Sequence, residues 1–161
     1  MKLLSLTALA TLIGIAPALS QTPSEGRRLA ELAFVSVDSN GNGSVDMGES
    51  HNFGGDVFVS MDADDNDRVS EAEFLDWGFG YQNLAEDVDK ELAYRTALRV
   101  VFSFWDRNVD GEISRTEQRV ASNRDFRRAD VNGDALLSEK EFLNGFSIIV
   151  ATRIALKPEN N

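Results

Sequence analysis

Cysteine is absent from this chain, and histidine, methionine and proline are scarce. Without cysteine the chain cannot form disulfides, so stability must come from packing or bound ions, and a lipid-anchoring thiol is missing. The single histidine, His51, leaves histidine-based metal sites and catalytic triads without the partners they need. Only three methionines occur, whereas promiscuous target-binding grooves favour this flexible residue. The composition therefore disfavours disulfide stabilisation, triad catalysis and broad peptide capture.

Long apolar runs are also missing, apart from the stretch that follows Met1 and Lys2. That stretch, residues 3–17, is too short for a membrane span and precedes the small-x-small pattern Ala18-Leu19-Ser20. The pattern predicts a signal peptide over residues 1–20, with cleavage after Ala18 as the alternative. We therefore expect a periplasmic or secreted protein with no membrane span after signal removal.

Basic residues are outnumbered: 16 Lys and Arg face 27 Asp and Glu, for a formal net charge of −11. Removal of Lys2 with the signal peptide would make this about −12, and four bound divalent cations would bring it to about −4. Such an acidic surface repels nucleic-acid phosphates, so no nucleic-acid partner is expected.

The chain contains one acidic 12-residue pattern four times, in segments 38–49, 62–73, 106–117 and 130–141, here called loops 1 to 4. Each loop has oxygen-bearing side chains at positions 1, 3, 5 and 9 and a glutamate at position 12, and its position 7 can offer a backbone carbonyl. The predicted metal ligands are Asp38, Asn40, Asn42, Ser44, Asp46, Glu49, Asp62, Asp64, Asn66, Arg68, Ser70, Glu73, Asp106, Asn108, Asp110, Glu112, Ser114, Glu117, Asp130, Asn132, Asp134, Leu136, Ser138 and Glu141.

This spacing suits a hard cation. Ca²⁺ takes roughly six to eight oxygens at about 2.3–2.6 Å, and short side chains at alternating positions of a tight loop turn inward together. Position 9 usually acts through a water, while the longer glutamate at position 12 can reach across and bind with both oxygens. One such loop could be an ordinary solvated turn. Four copies that all end in glutamate favour divalent-cation binding.

These loops resemble those of the EF-hand superfamily, and most closely those of small secreted bacterial calcium-binding proteins with calmodulin-like loops. The resemblance covers roughly residues 29–150 and implies paired helix–loop–helix units that bind up to four Ca²⁺. The flanks fit, because a phenylalanine precedes each loop by four residues and an apolar residue, suited to a short pairing strand, occupies position 8. These residues are Phe34, Phe58, Phe102, Phe126, Val45, Val69, Ile113 and Leu137.

Spacing organises the loops into two halves. Loops 1 and 2 begin 24 residues apart, as do loops 3 and 4, and the two-loop unit recurs at an offset of 68. The sequence thus predicts an all-α fold of two EF-hand pairs, one in residues 21–80 and one in residues 102–161. A linking helix, capped near Asn83, is expected over residues 81–101. The 12-residue connector after loop 1 is expected to kink at Gly54-Gly55.

Loop position 6 requires a left-handed backbone, which glycine adopts without strain. Gly43 and Gly111 satisfy this, Asp67 tolerates it, and Ala135 does not. The predicted order of affinity is therefore loops 1 and 3, then loop 2, then loop 4.

The sequence favours an exported calcium-binding protein in which the ions stabilise a binding or scaffold module. A sensor that opens a hydrophobic groove for an unidentified protein partner, and a calcium buffer, are the alternatives. No catalytic role is expected, because the loops and their helices leave no further domain to carry one.

Overall fold

The computed structural model describes residues 24–78 and 80–157, so the predicted signal peptide lies outside it. The described chain is mostly helical, as predicted, and none of its helices combines the length and apolar character needed to cross a membrane. The helices are α1 (Glu25–Val37), α2 (Met47–Met61), α3 (Glu71–Asp76), α4 (Tyr81–Asp87), α5 (Glu91–Trp105), α6 (Arg115–Ala129), α7 (Glu139–Gly145) and α8 (Ser147–Ala155). The strands are β1 (Ser44–Val45), β2 (Arg68–Ser70), β3 (Glu112–Ser114) and β4 (Leu137–Ser138).

Each acidic loop both ends one helix and starts the next. The aspartate at position 1 is the C-cap of the incoming helix, and its amide donates to the carbonyl of the phenylalanine four residues earlier. The residue at position 9 is the N-cap of the outgoing helix and forms a capping box with the glutamate at position 12. A capping box satisfies two amides that the helix itself leaves unpaired.

The connector between loops 1 and 2 is a single continuous helix, α2, and α6 plays the same part between loops 3 and 4. The predicted kink at Gly54-Gly55 is therefore wrong. Gly54 instead permits close contact with α6: a Cβ there would lie 2.5 Å from Nε2 of Gln118 and 3.2 Å from Oγ of Ser122. A 15-residue helix is about 22 Å long, so it holds consecutive loops well apart.

Helices α2 and α6 lie side by side in opposite directions. Nε2 of His51, near the start of α2, is 2.9 Å from Oδ1 of Asn123 in the second half of α6. At the other end, the guanidinium of Arg115 lies 4.8 Å from the ring centroid of Phe58. This antiparallel arrangement brings loop 1 beside loop 4 and loop 2 beside loop 3.

The strands pair accordingly. β1 is antiparallel to β4, with Val45 opposite Leu137, and β2 is antiparallel to β3, with Val69 opposite Ile113. The expectation that loops pair within residues 21–80 and within residues 102–161 is therefore wrong. The cause is the short connector, because a straight helix separates the two loops that it joins.

Two hydrophobic cores form, and each draws residues from both halves of the chain. The core beneath loops 2 and 3, here the 2–3 core, contains Phe58, Met61, Val69, Phe74, Leu75, Tyr81, Ala85, Tyr94, Leu98, Val101, Phe102, Trp105, Ile113, Ala121 and Leu156. The core beneath loops 1 and 4, here the 1–4 core, contains Ala30, Ala33, Phe34, Val37, Val45, Phe126, Ala129, Leu137, Phe142, Leu143 and Ile149. The expected burial of the phenylalanines before the loops and of the residues at position 8 is confirmed.

The segment between loops 2 and 3 is not the single helix that the sequence predicts. Helix α4 starts after Gly80, which has a left-handed backbone, and a break follows before α5. Asp89 is left-handed with φ 54°, and the amide of Lys90 closes the end of α4 by donating to the carbonyl of Ala85 at 2.8 Å. Left-handed residues commonly end helices in this way. Leu92, in the first turn of α5, is 79% exposed.

Gly145, at the end of α7, packs directly on the end of α6. A Cβ at this position would overlap the Cα and Cβ of Ala129, whereas a Cβ at Gly55 would meet no atom within 4 Å. We expect Gly145→Ala to lower the free energy of unfolding by about 1–3 kcal/mol through overpacking. Gly55→Ala, the matched control, should raise it by about 0.5–1 kcal/mol because alanine favours a helix. Thermal unfolding in calcium measures both, and equal effects would contradict the packing argument.

Candidate metal centres

The aspartate at position 1 organises each loop around its carboxylate. In all four loops its Oδ2 accepts the amide of position 6, at 2.8 to 3.1 Å. In loops 1, 2 and 3 its Oδ1 also accepts the amide of position 5, whereas in loop 4 Oδ1 of Asp130 accepts the amide of Gly133 instead. These bonds fold the chain back over the carboxylate and fix its direction.

The side chains at positions 3 and 5 form a ladder of Asx turns. The Oδ1 atom of position 3 accepts the amide of position 5 at 2.9 to 3.3 Å. The Oδ1 atom of position 5 accepts the amide of position 7 at 2.8 to 3.0 Å. Asparagine and aspartate are suited to this role because their short side chains reach the backbone two residues on.

The glutamate at position 12 reaches back across each loop, as its length predicts. Its Oε2 accepts the amide of position 9 at 2.8 to 3.0 Å. In loops 1 to 3 its Oε1 accepts an amide from position 2 or 3, at 2.9 to 3.3 Å. Oε1 of Glu49 also accepts from Nδ2 of Asn40 at 2.7 Å. Each glutamate therefore spans from the outgoing helix to the start of the loop.

These hydrogen bonds hold the pKa of Glu73, Glu117 and Glu141 below the ordinary value of 4.5. For Glu73 the main cause is the amide of the serine at position 9, and for Glu141 it is the hydroxyl of that serine. Burial is the largest effect on Glu117 and raises its pKa, but hydrogen bonds from the serine at position 9 and the amides at positions 2 and 3 outweigh it. The carboxylates thus stay ionised, and protons would compete with a cation only at more acidic pH.

The residues at positions 7 and 9 stand where the loop becomes a strand and then a helix. Position 7 begins the strand in loops 1 to 3 and directly precedes it in loop 4, and the residues there differ in chemistry: Ser44, Arg68, Glu112 and Leu136. At position 9 the side chain caps the outgoing helix, and in loops 2 to 4 the serine hydroxyl also donates to Oε2 of the glutamate, at 2.7 to 2.8 Å. The capping role is visible in the sequence as the spacing of Ser or Asp three residues before Glu.

Two positions in each loop, not one, have a left-handed backbone. Position 6 is left-handed in every loop, as predicted, with φ between 63° and 86°. Position 4 is left-handed as well, and the sequence analysis missed it, although glycine at this position in two loops was a signal. The residues at position 4 are Gly41, Asp65, Val109 and Gly133. Since a β-branched residue is disfavoured there, Val109 places strain in loop 3, and only loop 1 has glycine at both positions.

The donors fit a hard divalent cation. In loop 2, carboxylate oxygens of Asp62, Asp64 and Glu73 lie within 4.8 Å of one another. The other loops have asparagine at position 3, so an amide oxygen replaces one of these carboxylates. Every predicted side-chain ligand is an oxygen donor, which suits Ca²⁺, Mg²⁺ or Mn²⁺ rather than softer metals.

Arginines connect loops 2 and 3 directly, a feature that the sequence analysis did not identify. The guanidinium of Arg68 lies 3.5 Å from Oδ2 of Asp110 and 3.3 Å from Oε2 of Glu112. Nη2 of Arg115 is 2.6 Å from Oδ1 of Asp67. These exposed pairs contribute little individually, but they reduce repulsion between two acidic loops. Only the pairing of loop 2 with loop 3 brings these arginines close to their carboxylate partners.

Relief of backbone strain gives a test of the loop geometry. We expect Ala135→Gly to raise stability by about 1 kcal/mol and Gly43→Ala to lower it by about 1–2 kcal/mol, since both positions are left-handed. Leu136→Gly, in the same loop but without a left-handed backbone, should not stabilise. Thermal unfolding with calcium at one fixed concentration measures all three. A gain for Leu136→Gly equal to that for Ala135→Gly would contradict the strain argument.

Comparison with models of protein families, with curated proteins and with solved structures finds no match to this chain. The case for a metal-binding role therefore depends on the loops themselves, on their ligand spacing and on the hydrogen bonds that orient the ligands.

Proposed function

We propose that this chain is an EF-hand calcium-binding protein that binds up to four Ca²⁺, one in each loop. The observation that carries the proposal is the fourfold repetition of one hydrogen-bond layout. In every loop the aspartate at position 1 accepts the amide of position 6, and the side chain at position 3 accepts the amide of position 5. The glutamate at position 12 accepts the amide of position 9 in every loop, and in loop 2 the carboxylate oxygens of Asp62, Asp64 and Glu73 lie within 4.8 Å of one another. Solvated turns that bind nothing have no physical reason to share this layout four times.

Different positions of a loop would supply different kinds of ligand to the ion. Positions 1, 3 and 5 offer side-chain oxygens, position 7 offers its carbonyl, and position 12 offers both carboxylate oxygens. Position 9 acts through a water and, as the N-cap, fixes the direction of the glutamate. Bound Ca²⁺ supplies positive charge that offsets the repulsion among the carboxylates.

We propose that calcium acts mainly as a structural element of an exported binding or scaffold module. The loops form the ends of helices α1, α2, α5 and α6 and the starts of α2, α3, α6 and α7. An ordered loop therefore orders two helices at once, and both cores lie directly beneath paired loops. Because α2 and α6 each belong to two loops, one helix cannot swing away from a loop without moving the loop at its other end.

A sensor role is the second candidate, and one observation favours it. Leu92, Val100 and Phe104 are exposed and spaced eight and four residues apart on α5, so they share one face of the helix that leads into loop 3. An exposed apolar strip of this kind suits a protein partner. A calcium buffer would need neither a strip nor a large change in stability.

Loop 3 has a built-in optical reporter, because Trp105 directly precedes Asp106. We expect calcium to change the fluorescence of Trp105, and Glu117→Gln to weaken this response at least tenfold by removing a charged ligand. Glu112→Gln is the matched control, since position 7 binds through its carbonyl, and its midpoint should stay within about twofold of wild type. A fluorescence titration that is identical for Glu117→Gln and wild type would mean that loop 3 is not a calcium site.

Thermal unfolding in chelator and in millimolar calcium distinguishes a structural ion from a sensor. Each site adds about 2.7 kcal/mol when calcium is 100-fold above Kd, so four sites should raise Tm by roughly 20 °C or more. The calcium-free chain should be loosely folded at low salt and partly restored by screening of its like charges. A cooperative calcium-free transition only a few degrees lower, together with calcium-dependent binding of a hydrophobic dye, would favour the sensor.

A further inference from the structure

We propose that the chain binds a small uncharged molecule, an unbranched aliphatic compound with a single hydroxyl or carbonyl group, in an apolar cavity between its two hydrophobic cores. The cavity has a volume of about 70 Å³, and residues of both the 2–3 core and the 1–4 core line it. Among the described residues on its wall, none is a predicted calcium ligand. The site is therefore distinct from the proposed metal centres and lies beneath both pairs of loops.

The cavity follows one face of α2. Ser50, Phe53, Val57 and Met61 all line it, and their spacing of three and four residues places them in one row along the helix. From Ser50 to Met61 the helix rises about 16 Å. The volume given above has room for about five water-sized groups, so over this length the cavity is narrow. An unbranched chain fits such a shape, whereas a ring does not.

The wall of the cavity is aromatic and uncharged. No side chain that lines it in the described part of the chain is charged, although 27% of the whole chain is. Its aromatic residues include Phe58, Phe74 and Trp105. Burial raises the pKa of Tyr81 and Tyr94 to about 12, so these two phenols on the wall stay neutral as well. A charged ligand would lose its hydration here without gaining a partner of opposite charge.

Ser50 gives the cavity a polar group that has no partner. This residue is 3% exposed, and within the described chain its Oγ is the one fully buried side-chain oxygen or nitrogen without a hydrogen bond. Other polar side chains on the wall are already engaged: Oγ of Ser122 accepts from Nε2 of Gln118 at 3.0 Å, and Oγ1 of Thr152 donates to the carbonyl of Ile148 at 2.7 Å. Because an unpaired buried hydroxyl is costly, a partner that enters the cavity and bonds to Ser50 would be bound favourably.

A water molecule is the competing occupant, and the surroundings of Ser50 suit it poorly. A buried water usually makes two to four hydrogen bonds, whereas the next residues on this side of the wall, Phe53, Gly54 and Val57, offer no polar side chain. A hydroxyl or carbonyl at the end of an aliphatic chain can bond to Ser50 alone, while its hydrocarbon part leaves water for the aromatic wall. Phe53, Val57 and Trp77 are only partly buried, so a ligand can reach the cavity from this side.

The two tryptophans of the chain, Trp77 and Trp105, both line the cavity and can report its occupancy by fluorescence. Titration of the full chain in millimolar calcium with 1-butanol, 1-pentanol and 1-hexanol should give saturable curves. Each added methylene should lower the midpoint about fourfold until the cavity is full. Hexanoate has the same length as 1-hexanol but is charged, so it should not bind measurably. A response that does not saturate, or equal midpoints for hexanoate and 1-hexanol, would overturn the proposal.

Variants of two serines on the wall test the role of the unpaired hydroxyl. Ser50→Ala should weaken binding of 1-hexanol about three- to tenfold, and it should raise Tm of the ligand-free chain by roughly 3–8 °C because it removes an unsatisfied group. Ser122→Ala is the matched control: it removes a hydroxyl that is already bonded to Gln118, so it should lower Tm and change the midpoint less than about twofold.

Ser50→Leu should fill the cavity and abolish the saturable fluorescence change, which identifies any non-specific effect of the alcohols. A Ser50→Ala chain that binds 1-hexanol as tightly as wild type, or that unfolds at a lower temperature than wild type, would overturn the proposal. Loss of affinity in Ser122→Ala as large as that in Ser50→Ala would do the same.

Discussion

The length of the connector between consecutive loops is the constraint on which the rest of this structure depends. Twelve residues leave no room for two helices and a turn, so one helix is both the exit of a loop and the entrance of the next. Loops at opposite ends of a rigid helix cannot form strand pairs with each other. Two such helices packed in opposite directions bring the loops together across the halves. Because the loops pair across the halves, the 2–3 core and the 1–4 core each contain residues from both halves.

Hydrogen bonds within each loop orient its negatively charged side chains. Carboxylates at positions 1 and 12 accept backbone amides, which fixes their direction. The glutamates at position 12 also belong to the capping boxes of the outgoing helices, and helix N-termini favour negative charge. Acidic residues that contribute to the negative net charge of the chain therefore lie at helix ends. An ion in such a loop would act on helices and strands that the loop already defines.

Features set by local spacing could be predicted from the sequence, and features set by distant contacts could not. The helical class, the burial of Phe58 and Phe126 and the left-handed residue at position 6 follow from neighbours within a few positions. Gly54 resembled a kink because glycine is a poor helix former, and its true role depends on α6. Val109 adopts a left-handed backbone against the preference of a β-branched residue, because the loop around it imposes that geometry. The ligand assignments for calcium remain predictions.

The pairing of β1 with β4 also has a consequence for biosynthesis. Val45 is near the amino terminus of the described chain, and its partner Leu137 is near the other end. A ribosome makes loop 1 long before the strand that pairs with it, so the apolar faces of α1 and loop 1 stay uncovered until residues 137 and 138 have been made. Contacts so distant in sequence slow folding. Removal of β4 would consequently damage loop 1 as well as loop 4.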